Sequence, residues 1–126
     1  MGPLASAKPV LIIATRDRER AKPFYRDMLG LPLVSEDHFA AVFDVGGTSL
    51  RLSTVPDWVP SNHTVLGFVV ANVAEAVTAL KAEDVAFNIY EGFNQDPLGI
   101  WTAPDGTARV AWFKDFDGNV LSVTQF

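Results

Sequence analysis

The chain has two histidines, His38 and His63, and no cysteine, which leaves little equipment for metal or nucleophile chemistry. Zero cysteines exclude disulfides, thiolate metal sites and a Cys nucleophile. There are no paired histidines and no helical His/Glu motif. His63 lies two residues before Val65 and shares its strand parity, so a rim position is expected for it. One rim histidine is a poor basis for a metal centre. No nucleophile–base pair is visible either. Arg51 has more to offer, as a permanent planar cation suited to a carboxylate, a phosphate or a polarised carbonyl. An internal ion pair with Asp44 or Glu91, or a surface position, would absorb the same charge. Trp112 presents an aromatic face that can stack on a planar ligand or simply fill a core.

Composition narrows the partners. Hydrophobic residues make up 48% of the 126 and charged residues 20%, ordinary values for a folded protein, so disorder is not expected. The formal charge of −5 and the absence of a Lys/Arg cluster argue against a nucleic-acid partner. Apolar runs such as 9–14 and 65–71 are too short to cross a bilayer, so no membrane partner is expected. The first residues lack the charged region, apolar core and cleavage site of a secretory signal, and a cytoplasmic location is the expectation. "RDRER", from Arg16, reads as a solvated cap and first helical turn.

The scaffold for these residues is an internal repeat. "VLIIATRD" from Val10 overlays "VLGFVVAN" from Val65 at an offset of 55. Each is an apolar strand-like run ending in a helix N-cap residue, Asp17 or Asn72. Ala21, Phe24, Tyr25, Met28 and Leu29 then make an apolar helical face, interrupted at Pro23 and stopped at Gly30. Val73, Ala76, Val77 and Leu80 make its counterpart. "DVGGTSLRLS" from Asp44 overlays "DFDGNVLSVT" from Asp115 at an offset of 71, each a turn followed by an alternating strand. The 16 additional residues, "EGFNQDPLGIWTAPDG", read as loop. One domain of two βαβββ modules results, over 8–54 and 63–126, with a linker at 55–62. Strands are expected at 9–15, 33–36, 39–45 and 49–54, then at 64–71, 86–90, 108–114 and 120–125. Helices are expected over 17–29 and 73–84.

Strand alternation assigns the faces. Leu50, Leu52, Leu121 and Val123 go to the helix side, leaving Arg51, Ser53, Ser122 and Thr124 on the opposite, concave side. The offset of 71 also places Phe39, Ala41 and Phe43 with Val110, Trp112 and Lys114 on that concave side.

Three stretches, "RDRERAKPFYRDMLGL", "FVVANVAEAVTAL" and "WFKDFDGNVLSV", make the chain resemble the vicinal oxygen chelate superfamily, the glyoxalase/bleomycin-resistance/extradiol-dioxygenase group. The resemblance implies an α+β fold of two βαβββ modules forming a curled mixed sheet, a cup, with helices on the outer face. It also implies a homodimer. In metal-dependent members the ligands come from the first and fourth strands of each module. Carried onto this chain, those positions are Val10, Arg51, Val65 and Ser122. Valine donates nothing, a lone serine is a poor ligand, and Arg51 would repel a divalent cation. The resemblance is therefore to a bleomycin-resistance-like member without a metal site, and neither a metal nor another cofactor is expected.

An apolar concavity with a few polar points describes a small-molecule site. The expected ligand-binding residues are Phe39, Arg51, Ser53, Val65, Trp101, Trp112, Ser122 and Thr124, with Val10 as a further wall. Trp101 shares the additional loop with Phe93, Leu98 and Ile100, and that loop is expected to cover the cup or meet a second subunit. Two function classes stand. One is a binding protein that sequesters an apolar or aromatic, antibiotic-like ligand at or near a homodimer interface. The other is a metal-free isomerase, cyclase or lyase acting on a small carbonyl or natural-product substrate. Arg51 would be its electrophile, and Tyr25, Tyr90 or a rim carboxylate its acid/base. A ligandless dimer, its cup filled by Trp112 and Phe39, is held in reserve.

Overall fold

A computed structural model describes residues 2–126. The chain divides into two compact units, the first ending at Trp58 and the second beginning at Val59. In the first, β1 (Val10–Thr15) leads into α1 (Arg18–Pro23), followed by β2 (Leu33–Glu36), β3 (Ala40–Val45) and β4 (Thr48–Thr54). In the second, β5 (Thr64–Val69) leads into α2 (Val73–Ala82), followed by β6 (Trp101–Thr102), β7 (Arg109–Lys114) and β8 (Val120–Gln125). The sheet orders are β1-β4-β3-β2 and β5-β8-β7-β6. In both, the strand before the helix pairs parallel with the last strand, and the remaining pairs are antiparallel. This is an α+β fold of two four-stranded mixed sheets, curled but not closed.

The helices start where short polar side chains can satisfy free amides. Asp17 accepts from Arg20 N at 3.3 Å, and Asn72 accepts from Glu75 N at 3.0 Å. Pro23 ends α1, since it has no N–H to donate. The segment over 17–29, expected to be interrupted at Pro23, is accordingly in two pieces. Its second piece is a π-helical turn, Phe24–Met28, with Leu29 N donating to Phe24 O at 2.9 Å. Tyr25, fully buried in that turn, lies 5.9 Å from the Phe43 ring and packs the turn onto β3. Leu50 and Leu52 complete the buried face beneath α1. In the second unit, Val73 and Val77 of α2 do the same over Ala111, Phe113, Leu121 and Val123.

Residues paired across neighbouring strands share a face, so the register reads out which side chains look away from the helices. Arg51 is flanked by Ile12 and Val42, and Ser122 by Gly67 and Trp112. The offsets of 55 and 71 thus hold for the first and last strands of the two units (Ile12 to Gly67, Arg51 to Ser122). For the strand between them the expectation fails. Ala41 and Phe43 pair with Leu52 and Leu50 and are fully buried on the helix side. The residue equivalent to Trp112 is Val42, not Ala41. The cause is loop length: two residues separate Val45 from its partner Thr48, whereas five separate Lys114 from Val120. An odd difference shifts the register by one and exchanges the faces.

The additional residues differ from expectation too. Residues 86–90 do not form a strand; a single bridge joins Phe87 to Phe113. Asn88 N still donates to Trp112 O at 2.7 Å, after which the chain leaves the edge of β7. It returns as β6, where Trp101 pairs with Val110. Trp101 is therefore a strand residue rather than a loop residue. Among the described residues, no helix is long and apolar enough to cross a membrane.

Candidate ligand site

On the helix-free face of the second sheet, one row runs Gly67, Ser122, Trp112 and the next runs Val69, Thr124, Val110, Trp101. Gly67 keeps space open: a Cβ there would lie 3.0 Å from Ser122 Oγ. Val65 falls at the irregularity where β5 shifts register against β8, and it is 45% exposed. Beside this clearing stands an aromatic group. The Trp112 ring lies 5.6 Å from Tyr90, 5.9 Å from Phe93 and 6.2 Å from Trp101, the first two edge-on. Asn62, Thr64, Tyr90, Phe93, Trp112 and Val120 line a cavity of about 210 Å³. That is below the usual 300–1,000 Å³ of a drug-sized pocket, and it suits roughly one aromatic ring. Tyr90 Oη accepts from Asn88 Nδ2 at 3.0 Å, which leaves the phenol proton free to donate to a ligand.

Two side chains shape the loop that carries Phe93. Gln95 Oε1 accepts from Tyr90 N at 2.6 Å, and Gln95 Nε2 donates to Asn88 O at 2.9 Å and Gly99 O at 2.7 Å. Asp96 Oδ1 accepts from Leu98 N and Ile100 N, both at 2.9 Å, and Ile100 is buried. Gly99 has φ 89°, and a Cβ there would meet Phe87 Cβ at 3.4 Å, so glycine suits the site on both counts. Tyr90 and Phe93 are in this way held on a framed loop beside Trp112 of β7.

The first sheet presents a different surface. Arg51 Nη2 donates to Asp37 Oδ2 at 2.8 Å, so its internal partner is neither Asp44 nor Glu91. Asp44 instead accepts from Gly47 N at 3.1 Å. Asp37 also accepts from Phe39 N at 2.8 Å and Ala40 N at 2.9 Å. The Arg51 guanidinium first, and then these two amides, hold the Asp37 carboxyl down to about 2. Ser53 shares Arg51's face, between Ala14 and Ala40. Val10, 49% exposed, lies on the same face two residues before Ile12. Phe39, expected among the concave walls, sits before β3 at 72% exposure, edge-on to His38 at 5.1 Å.

The four positions that the family resemblance marks do not fit a metal. Val10 and Val65 have no donor atoms, and Arg51 brings a positive charge. Among the described residues, no three His, Asp or Glu side chains gather closely enough to hold one. Sequence reasoning missed the roles of Gln95 and Asp96 and the pairing of Asp37 with Arg51. The Asp37 turn is legible, since Asp two residues before Phe39 is an Asx-turn pattern; its long-range partner is not.

Comparison with known proteins agrees with this architecture. The family model "Glyoxalase/Bleomycin resistance protein/Dioxygenase superfamily" matches residues 8–123, and the chain belongs to that superfamily. No curated protein sequence matches significantly. Among solved structures, the chain is similar to lactoylglutathione lyase from Agrobacterium tumefaciens, with a TM-score of 0.72, 20% identity, and 98% of this chain and 96% of that one covered. It is also similar to a genomically encoded fosfomycin resistance protein from Listeria monocytogenes, with a TM-score of 0.74, 14% identity, and 96% and 93% covered. A glyoxalase/bleomycin resistance protein/dioxygenase from Alicyclobacillus acidocaldarius gives a TM-score of 0.73, 18% identity, and 96% and 92% covered. At these identities the likeness is one of fold.

Proposed function

We propose that the protein binds and sequesters an apolar, aromatic small molecule without a metal, as a cytoplasmic homodimer. The observation that carries this is the Trp112, Tyr90 and Phe93 group lining a cavity on the helix-free face of the second sheet, with Trp101 behind it at 6.2 Å from Trp112. Aromatic walls bury large ligand area and tolerate a range of planar rings. Screening neutral aromatic compounds should yield ligands that raise the melting temperature and quench tryptophan emission, with or without chelator. Trp112→Leu, which keeps apolar volume but removes the ring, should weaken such binding at least about tenfold. A broad panel giving neither effect would remove the proposal's support. The purified protein should also carry far less than one divalent metal per chain by elemental analysis.

A metal-free enzyme is the second reading, favoured by one observation: Tyr90 lines the cavity with its phenol proton free to donate. Recovering the ligand after incubation separates the two. Unchanged mass and connectivity support sequestration, and a converted product supports an isomerase, cyclase or lyase.

A further inference from the structure

The first sheet carries a second cavity, of about 490 Å³, whose lining includes Lys8, Val10, Val42, Thr48, Ser49 and Arg51 but no acidic residue. In a chain of net charge −5, this lining holds two cations and no carboxylate, Arg51 being paired with Asp37 beside the cavity. We propose that this cavity is a binding site for organic carboxylates, in which Arg51 and Lys8 hold the carboxylate and Val10 and Val42 hold its apolar body. The inference rests on the small-molecule-binding reading above and adds a second cavity with a charged ligand class.

Five observations support it. Arg51 is already oriented, with Nη2 on Asp37 at 2.8 Å, while its remaining N–H groups have no partner among the described residues. A guanidinium held at one corner loses little freedom when the others take up a planar anion. Lys8 forms no ion pair among the described residues, so its charge is available to the cavity it lines. The acids on neighbouring positions are already engaged: Asp37 by Arg51 and two amides, Asp44 by Gly47 N. Ser49, on the same strand face as Val10 and Arg51, adds a hydroxyl able to donate to a carboxylate oxygen. The cavity is far larger than an inorganic ion, and Val10 is 49% exposed beside it, so the ligand has an apolar part.

The test uses 4-phenylbutyrate, its neutral amide and inorganic phosphate as probes of the full chain by nitrogen-15 NMR. The carboxylate is expected to shift the Arg51 Nε–H and the amides of Gly47, Thr48 and Ser49, with the amide at least about tenfold weaker. Arg51→Met is expected to weaken the carboxylate about tenfold and Lys8→Gln about threefold. Lys8 is exposed, so that variant keeps the fold and the test decisive. Equal binding of acid and amide, or unchanged affinity in both variants, would overturn the inference. So would phosphate binding as tightly as the organic acid. Tryptophan quenching by neutral aromatics is read in the same samples. If it persists while the carboxylate effects are absent, only this inference falls; if both are absent, the binding reading falls with it.

Discussion

At the scale of single residues, charge placement separates the two sheets more sharply than hydrophobicity does. Arg51 and Ser122 occupy equivalent positions, yet one is a cation tied to Asp37 and the other a small hydroxyl facing a glycine. Asp37 gives this difference a measurable pH dependence. Its folded-state carboxyl sits at about 2, below the value near 4 of an unfolded aspartate. A depressed carboxylate contributes stability that is complete above the unfolded value and is lost as pH falls through the folded one. The melting temperature of the native protein should therefore exceed that of Asp37→Asn at pH 5 to 7. The gap should close between about pH 4 and pH 2. A gap independent of pH would show that the carboxylate's charge is not what Arg51 holds. Residue chemistry of this kind was partly legible: that Val10, Arg51, Val65 and Ser122 make a poor ligand set follows from side-chain type alone. Arg51's partner was not, because Asp37 reaches it only once β3 and β4 have paired.

At the scale of elements, the strands and helices of the repeat could be read from periodicity and caps, since those signals are local. Asp17 and Asn72 cap as their types dictate. The edge of β7 could not be read. A run of Gly, Pro, Asn and Asp signals turns without saying that the chain will leave a sheet edge at Asn88 and rejoin it at Trp101. Gln95 closes that excursion with three hydrogen bonds. Gln95→Ala should cost about 2 kcal/mol of stability, measured by denaturant titration. It should also speed hydrogen exchange at the Tyr90 amide while leaving β8 amides protected. Uniform acceleration through both elements would mean the loop is not a separable unit.

At the scale of the whole molecule, four of the exposed apolar side chains fall on β1 and β5, the end strands of the two sheet orders. Val10 and Ile12 on β1 are 49% and 66% exposed, and Val65 and Val69 on β5 are 45% and 73% exposed. Apolar edge strands left open invite association, and a second copy of the chain is the occupant proposed here. Sedimentation should show a dimer at micromolar concentration, shifted to monomer by Ile12→Lys or Val69→Lys with the circular dichroism spectrum unchanged. A monomer in the native protein would refute it. The superfamily fold was legible at this scale because its motifs span nearly the whole chain; the identity of the ligand lies outside what backbone pattern can encode.

The unequal hairpins carry a consequence for how such a chain can change. Deleting one residue within 115–119 would turn β7 over, driving Trp112 against α2 and turning Ala111 and Phe113 outward. Loop length here is thus a form of coding, although insertions in surface loops are usually tolerated cheaply. After a duplication, one odd change in a turn lets the two copies present opposite halves of a shared strand pattern. Each half can then acquire its own ligand chemistry with the strand residues themselves untouched.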